Sequence, residues 1–281
     1  MQVIERIADL RALLDETRCA GRTVGLVPTM GALHDGHASL VERAAAECDL
    51  VCTTVFVNPL QFGPGEDFAA YPRDLERDVQ RAEKAGAGVV FAPAVGEMYP
   101  GGERTTVAVS ALTDRLEGGH RPGHFDGVAT VVTKLFAIAG ACRAYFGEKD
   151  YQQLLVVRQL ARDLSLPVEV VGCPTVRERD GLALSSRNAY LDAEEREAAA
   201  VLSRALQAGA AAIIAGERSA DAVRRLMTGI VTAEPLAELD YAEVADADDL
   251  TPLARIDGAV RLLVAARVGP ARLIDNLGVR T

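Results

Sequence analysis

Between residues 4 and 172 the sequence alternates short apolar runs, rich in β-branched residues, with longer stretches in which apolar residues recur at helical spacing. The apolar runs predict strands at 23–28, 50–57, 89–91, 144–146 and 167–172. The amphipathic stretches predict helices at 4–20, 39–47, 74–85, 127–139 and 150–164. Because parallel strands need a crossover connection, usually a helix, this alternation predicts a Rossmann-like α/β fold with a parallel sheet.

The pattern changes after about residue 176. Two Ala-rich helices are predicted at 192–215 and 219–233, followed by short strands near 240–244 and within 261–276. We therefore expect two domains: a Rossmann-like domain at 1–175 and a smaller α+β domain at 176–281.

Charge and cysteine usage narrow the possible functions. The formal net charge of −10 disfavours nucleic-acid binding, which needs basic residues facing phosphates. No run of 18 apolar residues lacks a charge, so we expect no membrane span. The five cysteines are odd in number and scattered, which argues against a disulfide framework and favours a reducing compartment; most are expected to be buried.

The strongest motif is Pro-Thr-Met-Gly-Ala-Leu-His-Asp-Gly-His at 28–37, which follows the first predicted strand and opens a helix. Ligands of open α/β sheets bind beyond the carboxyl ends of strands, and a helix N-terminus suits a phosphate. His34 and His37 are three residues apart, so we expect both on one helical face, donating to one polyphosphate. A structural pair and a metal-binding pair are the alternatives.

Three further segments carry polar residues at predicted strand or domain ends. Lys149 and Asp150 lie at a strand-to-helix turn, where a lysine can contact a phosphate. Ser185-Ser186-Arg187 lies in the predicted interdomain loop and offers hydroxyl and guanidinium donors; a plain loop with a serine cap is the alternative. Asn58 and Gln61 stand among apolar residues and suit a small polar ligand, although an Asn-Pro turn explains them equally well.

Taken together, the order of His-Asp-Gly-His, Phe-Gly-Glu-Lys-Asp and Ser-Ser-Arg resembles the nucleotidyltransferase superfamily that includes class I aminoacyl-tRNA synthetases. The full 28–37 string, Asn-Pro-Leu-Gln-Phe at 58–62 and Gly-Glu-Lys-Asp-Tyr-Gln-Gln at 147–153 look like the pantothenate synthetase family in particular. The resemblance extends from Val24 to about Asn276. One departure is Leu184, where that family often has Met before Ser-Ser-Arg.

The resemblance implies an ATP-dependent condensation of (R)-pantoate with β-alanine to pantothenate, AMP and pyrophosphate, through a pantoyl adenylate. It further implies Mg²⁺ as cofactor, a cytoplasmic homodimer, and a C-terminal domain that acts as a lid. Neither nucleic acid nor membrane is an expected partner.

The resemblance also implies roles for individual residues. The residues expected along ATP are Met30, Gly31, Ala32, Leu33, His34, Asp35, Gly36, His37, Gly147, Glu148, Lys149, Asp150, Val176, Leu184, Ser185, Ser186 and Arg187. Gln61 and Gln153 are expected to hold pantoate, with Asn58 beside them and β-alanine entering near Gln61. The expected catalytic set is His34, His37 (the proton donor), Lys149, Ser185, Ser186 and Arg187. The metal ligands and the roles of His120, Arg121 and His124 are left unassigned.

Two other functions remain alternatives. A nucleotidyltransferase could move AMP or CMP onto a phosphorylated acceptor and stop there, although such an acceptor would favour more basic residues than Asn58 and Gln61. A catalytically silent nucleotide-binding protein could also share the fold.

Overall fold

The computed structural model of the chain describes residues 1–102 and 104–281. Contacts divide the chain into two compact units. The first comprises Met1–Glu148 and Gln152–Pro174, and the second comprises Lys149–Tyr151 and Thr175–Thr281. Three residues that precede the expected boundary at 175 therefore group with the second unit.

The first unit is built on a six-stranded parallel sheet. Its strands are β1 (Gln2–Ile4), β2 (Val24–Thr29), β3 (Leu50–Val55), β4 (Val89–Phe91), β5 (Cys142–Gly147) and β6 (Val168–Cys173). Its helices are α1 (Ile7–Cys19), α2 (Asp35–Glu47), α3 (Leu75–Lys84), α4 (Val95–Met98), α5 (Glu117–His120), α6 (His124–Ala139) and α7 (Tyr151–Asp163). The strand order is β1-β4-β3-β2-β5-β6 and every neighbouring pair is parallel, which confirms the predicted Rossmann-like fold.

Strand β1 is an element that the sequence pattern did not predict. It pairs with β4, with Gln2 opposite Val89 and Ile4 opposite Phe91. The predicted helix 4–20 was therefore too long at its start, because Arg6 has an extended backbone and α1 begins at Ile7. The equally short β4 is apolar and buried at all three positions, whereas β1 begins with Gln2 and buries only Ile4, so β1 presents no apolar run that could reveal it.

The core of the first unit lies between the sheet and its covering helices. Val27 and Val90 are fully buried in the sheet, and Val41 and Ala44 of α2 pack in the same cluster. On α6, eleven of the sixteen residues are buried. This helix reads as apolar nearly all round, as expected of a helix buried inside a domain.

The second unit packs helices on a three-stranded antiparallel sheet. Its elements are α8 (Ala193–Ala199), α9 (Val201–Ile214), α10 (Ala220–Thr232), β7 (Ala237–Asp246), β8 (Ala259–Val268) and β9 (Ala271–Arg280). The sheet order is β7-β8-β9, and Val268 pairs with Ala271 across the hairpin turn that joins β8 to β9. The predicted helix 192–215 is interrupted at Ala200, which separates α8 from α9.

One stretch, Ala193–Ile214, is long and apolar enough to cross a membrane by length and composition alone. Of its apolar window, 61% is buried inside the protein. Leu202, Leu206 and Ile213 belong to the core of the second unit together with the strands of its sheet. The stretch therefore has the burial of a core helix, and its apolar character is explained by that packing.

All five cysteines are free thiols. Cys52 and Cys173 are buried, Cys48 and Cys142 are half-buried, and Cys19 is exposed on α1. The expectation that most of them are buried was therefore wrong. Burial raises the pKa of Cys52 to about 12, which keeps this thiol protonated and unreactive.

Candidate active site

The strand order of the first unit reverses at β2. The chain moves from β2 outward through β3 and β4, then returns to the other side of β2 with β5 and β6. In open α/β sheets, ligands bind at such a reversal, beyond the carboxyl ends of the strands. The 30–37 segment follows β2, Asn58 and Gln61 follow β3, and Gly147 ends β5. Three expected site segments therefore leave neighbouring strands at one edge of the sheet.

The loop after β2 is held by a carboxylate from another helix. Asp78, buried on α3, accepts hydrogen bonds from the backbone N–H groups of Ala32 (2.9 Å) and Leu33 (2.7 Å). Arg81, also on α3, donates to the Leu33 carbonyl at 2.8 Å. Gly31 has a φ of 89°, and a Cβ there would lie 2.7 Å from Asp78 Oδ2. The loop conformation therefore depends on Gly31 and Asp78 together.

Sequence reasoning missed Asp78, although the pattern contained a signal. Asp78, Ala82 and Ala85 are spaced four and three residues apart and all three are buried, so the acid lies on the inner face of α3. Burial raises the pKa of Asp78 above its ordinary value, against the opposing effect of the two backbone N–H groups. An acid on the apolar face of a predicted helix is the feature that would have identified it.

The two histidines of the motif adopt different backbone conformations. His34 precedes α2 as its N-cap, with φ −130° and ψ 179°, whereas His37 is in the first helical turn. The expectation that both lie on one helical face was therefore wrong for His34, because α2 begins only at Asp35. Their rings are nevertheless neighbours, with centroids 4.1 Å apart and planes tilted by 39°.

Hydrogen bonds to the backbone fix the tautomer of both rings. His34 Nδ1 accepts from the backbone N–H of Gly36 at 3.2 Å, and His37 Nδ1 accepts from that of His34 at 3.4 Å. A ring nitrogen that accepts carries no proton, so each neutral imidazole carries its proton on Nε2. Both rings can thus act as Nε2–H donors at the start of α2, where the helix dipole favours an anion.

Asn58 and Gln61 form a buried polar pair with Met30. Asn58 is 1% exposed and Gln61 is 9% exposed. Asn58 Nδ2 donates to Gln61 Oε1 at 3.2 Å, and Gln61 Nε2 lies 3.0 Å from the sulfur of Met30. The segment Pro59–Gln61 is a 3₁₀ turn with Asn58 as its cap, so the predicted turn is present and the ligand role of these residues stays a prediction.

The amide of Asn58 is oriented by two further groups. Its Nδ2 donates to the Gly127 carbonyl on α6 at 3.1 Å, and its Oδ1 accepts from the Tyr99 hydroxyl at 2.8 Å. Because a carbonyl can only accept, the NH₂ side of Asn58 must face Gly127 and Gln61. The side-chain oxygen of Gln61 therefore accepts from Asn58, and the NH₂ group of Gln61 points towards Met30. Tyr99 and Gly127 are supporting residues that the sequence pattern did not single out.

The two glutamines at the start of α7 have different surroundings. Gln152 is buried and donates to the carbonyls of Leu112 and Arg115 at 2.7 and 2.8 Å, so it holds the loop that precedes α5. Gln153, the expected pantoate ligand, is half-buried on the same helix. Gln152 is thus a structural residue, and the binding role expected of Gln153 stays a prediction.

Within the second unit, Lys149 is anchored through its backbone. Asn276 Nδ2 donates to the Lys149 carbonyl at 2.7 Å, and Arg261 Nε donates to Asn276 Oδ1 at 2.6 Å. The Arg261 guanidinium also stacks 3.6 Å from the centroid of the Tyr151 ring. Lys149 Nζ lies 3.5 Å from Asp150 Oδ1, a long ion pair that leaves the ammonium adjustable.

The Ser-Ser-Arg segment follows a short antiparallel turn in the same unit. Leu184 N–H donates to the Val176 carbonyl at 3.0 Å, so Leu184 can offer a ligand only its carbonyl or side chain. Ser185 caps the 3₁₀ turn Ser186–Tyr190, with its hydroxyl accepting from Arg187 N–H at 3.3 Å. The serine-cap alternative for Ser185 therefore describes its geometry correctly.

A family model described as pantoate–β-alanine ligase matches residues 2–278 of the sequence. The chain belongs to the pantoate–β-alanine ligase family. It is 56% identical over 277 residues to the pantothenate synthetase of Geobacillus thermodenitrificans, in an alignment that covers 99% of this ligase and 96% of that protein.

Solved structures support the same assignment for this ligase. The pantothenate synthetase of Thermus thermophilus superimposes with a TM-score of 0.95 at 52% identity, covering 100% of both chains. The pantoate–β-alanine ligase of Francisella tularensis superimposes with a TM-score of 0.80 at 32% identity, covering 99% of this chain and 97% of that one. That relative was crystallised as a complex with β-γ ATP and β-alanine.

The described part of this ligase contains no group of three or more His, Cys, Asp or Glu side chains arranged to hold a metal ion. Mg²⁺ commonly binds through one or two carboxylates, water and substrate phosphates, without a cage made by the protein.

Proposed function

We propose that the chain joins pantoate to β-alanine in two steps, with a pantoyl adenylate as intermediate and AMP and pyrophosphate as products. Its membership of the pantoate–β-alanine ligase family supports the substrates, and the ATP-bound relative supports the nucleotide. The observation that carries the proposal is the His34–His37 pair. Two imidazoles with Nε2–H donors meet at the N-terminus of α2, beyond the carboxyl end of β2.

The chemistry requires activation because the oxygen of a free carboxylate is a poor leaving group. A pantoate carboxylate oxygen attacks the α-phosphorus of ATP, and pyrophosphate leaves. The β-alanine amine then attacks the pantoyl carbonyl, and AMP leaves with the carboxylate oxygen. Negative charge grows on the phosphate oxygens in the first step, so donors aimed at those oxygens are expected to dominate catalysis.

In the first unit, we assign His34 and His37 to the phosphates of ATP, together with the backbone of the loop 30–33. Asp78 holds that loop by accepting from Ala32 and Leu33, which fixes the path of the chain into α2. His37 remains the proposed proton donor, acting through Nε2 because Nδ1 is engaged by the backbone.

Pantoate is assigned to Gln61 and Gln153, with Asn58 orienting Gln61. The Gln61 amide keeps its NH₂ side towards Met30 and can donate to a hydroxyl or carboxylate oxygen of pantoate. Apolar Met30 beside this donor matches the dimethyl carbon of pantoate. β-Alanine is expected to enter near the same residue.

From the second unit we assign Lys149, Ser185, Ser186 and Arg187 to the phosphates of ATP, with Asp150, Val176 and Leu184 alongside the nucleotide. From the first unit we assign Gly147 and Glu148 to the nucleotide as well. A lysine, two hydroxyls and a guanidinium are suitable donors for charged phosphate oxygens. In this proposal the second unit serves as a lid that excludes water from the adenylate.

Magnesium, when bound, would neutralise charge on the phosphates of ATP. We also propose a homodimer in the cytoplasm, a location that agrees with five free thiols.

The proposal is tested by following AMP and pyrophosphate with ATP, Mg²⁺ and pantoate, with and without β-alanine. Two-step ligation predicts pyrophosphate release that depends on pantoate, and sustained AMP formation only when β-alanine is added. Sustained transfer of AMP to another acceptor, or ATP binding without turnover, would instead favour one of the two alternatives.

A further inference from the structure

Arg121 lies between a carboxylate and an imidazole in the first unit. Its Nε donates to Glu66 Oε1 at 2.8 Å and its Nη2 to Oε2 at 2.7 Å, which makes a bidentate ion pair. Its Nη1 lies 3.0 Å from Nε2 of His124, the first residue of α6. Glu66 thus fixes the plane of the guanidinium, and the guanidinium faces the imidazole.

This contact determines the tautomer of His124. A guanidinium N–H can only donate, so His124 Nε2 must accept, and the neutral ring then carries its proton on Nδ1. That Nδ1 lies 2.8 Å from the backbone carbonyl of Gln61 and donates to it. Burial and the charge of Arg121 both lower the pKa of His124, to about 4, so the ring is neutral in the working pH range.

The Gln61 carbonyl has one strong donor. The Nη2 of Arg121 also approaches this oxygen, but at 3.4 Å, which is a long contact. The backbone of Gln61 is therefore held by His124, while its side-chain amide is held by Asn58. Together the two contacts fix both ends of the residue that is proposed to bind pantoate.

We propose that Arg121 and His124 are positioning residues for pantoate binding, acting on Gln61 through the Nδ1–H of His124. The inference rests on the proposed function of Gln61 and adds the residues that hold Gln61 in place. Glu66 orients Arg121, Arg121 selects the His124 tautomer, and His124 places the Gln61 backbone. None of these three side chains needs to touch pantoate in this scheme.

Two substitutions at His124 distinguish the effect of its Nδ1–H donor from the effect of the size of the ring. In His124→Asn the side-chain Nδ2 occupies the place of the imidazole Nδ1 and can donate to the Gln61 carbonyl. In His124→Gln the amide reaches the place of Nε2, towards Arg121, and that donor is lost. We expect His124→Gln to raise the KM for pantoate roughly tenfold, the effect of one lost hydrogen bond in a partly buried site. His124→Asn should stay within about twofold of wild type, and neither should change the KM for ATP.

The measurement is the KM for pantoate and for ATP in pyrophosphate release, on the full chain, with His120→Gln as a control at a nearby exposed histidine. A second cycle places His124→Gln in a Gln61→Ala background, which keeps the backbone carbonyl but removes the amide that the contact is proposed to position, so His124→Gln should add little to the KM for pantoate. The proposal would be overturned if His124→Asn and His124→Gln had equal effects, or if the KM for ATP rose as much as the KM for pantoate. It would also be overturned if His124→Gln had its full effect in the Gln61→Ala background. If the wild-type protein shows no pantoate-dependent release of pyrophosphate, the proposed function is overturned, and the positioning role with it.

Discussion

Asp78 Oδ1 accepts a hydrogen bond from the backbone N–H of Leu33 at 2.7 Å, which ties α3 to the loop that enters α2. The same carboxylate accepts from Ala32 through its other oxygen. An acid that is distant in the sequence therefore sets the backbone path in front of the His34–His37 pair.

Asp78→Asn tests this support. An amide offers one acceptor oxygen and turns an NH₂ group towards the second backbone N–H, so one hydrogen bond is lost and two donors face each other. We expect a loss of about 1–3 kcal/mol in the free energy of unfolding and a KM for ATP that rises more than the KM for pantoate. Denaturant unfolding and steady-state kinetics measure both, with Asp9→Asn on the exposed face of α1 as the matched control. Unchanged stability and unchanged ATP affinity would show that the loop does not depend on the carboxylate.

His37→Asn separates the structural and chemical roles of His37. The Asn oxygen can replace Nδ1 as acceptor for the His34 N–H, whereas the Nε2–H donor disappears. We expect a near-normal melting temperature and a fall of about 10²–10³ in the rate of pyrophosphate release. Thermal melting and single-turnover release in the presence of pantoate make the comparison. A variant that folds normally and releases pyrophosphate at the wild-type rate would remove His37 from the proposed chemistry.

The lowered pKa of His124 has a consequence for acid stability. The ring takes up a proton near pH 6.5 in the unfolded chain but only near pH 4 in the folded protein, so between these values the unfolded state binds more protons. The contribution of the neutral His124 ring to the free energy of unfolding is complete above pH 6.5 and is lost as the pH falls towards 4. Since the ring is only partly buried, we expect a loss of roughly 1–3 kcal/mol. Urea unfolding at pH 7, 5.5 and 4.5 measures it, and His124→Asn should show a shallower fall than wild type.

Gly127→Ala tests the packing of α6 against the Asn58–Gln61 turn. A Cβ at Gly127 would lie 2.2 Å from the Leu60 carbonyl oxygen and 2.6 Å from the Gln61 Cα, both backbone atoms that cannot rotate away. We expect a loss of more than about 2 kcal/mol in stability and a raised KM for pantoate. As a control, Gly229→Ala on the exposed face of α10 meets no atom within 4 Å and should stabilise by up to about 1 kcal/mol. Wild-type stability in Gly127→Ala would contradict the tight packing described above.

The sequence predicted the parallel sheet well because buried strands and amphipathic helices have distinct hydrophobic periods. It placed the His34–His37 motif and the Asn58–Gln61 segment after the correct strands, since strand ends are local features. It failed at β1, which buries only Ile4 and presents no apolar run, and at His34, where a capping contact and not helix propensity sets the backbone.

The supporting contacts could not be read from the motifs. Asp78 lies 45 positions from Leu33, and His124 lies 63 positions from Gln61. Such pairs depend on how helices pack across the sheet, which one sequence does not reveal. The grouping of Lys149–Tyr151 with the second unit is of the same kind, since Asn276 is 127 positions from Lys149.

The central claim is that a pantoate carboxylate oxygen bonds to the α-phosphorus of ATP. The most direct test is to label both carboxylate oxygens of pantoate with ¹⁸O, run the complete reaction with β-alanine, and examine AMP by mass spectrometry. Passage through a pantoyl adenylate predicts one ¹⁸O in each AMP and one retained in the amide of the product. AMP without label, formed together with the amide product, would contradict the adenylate and require a different activation of the carboxylate.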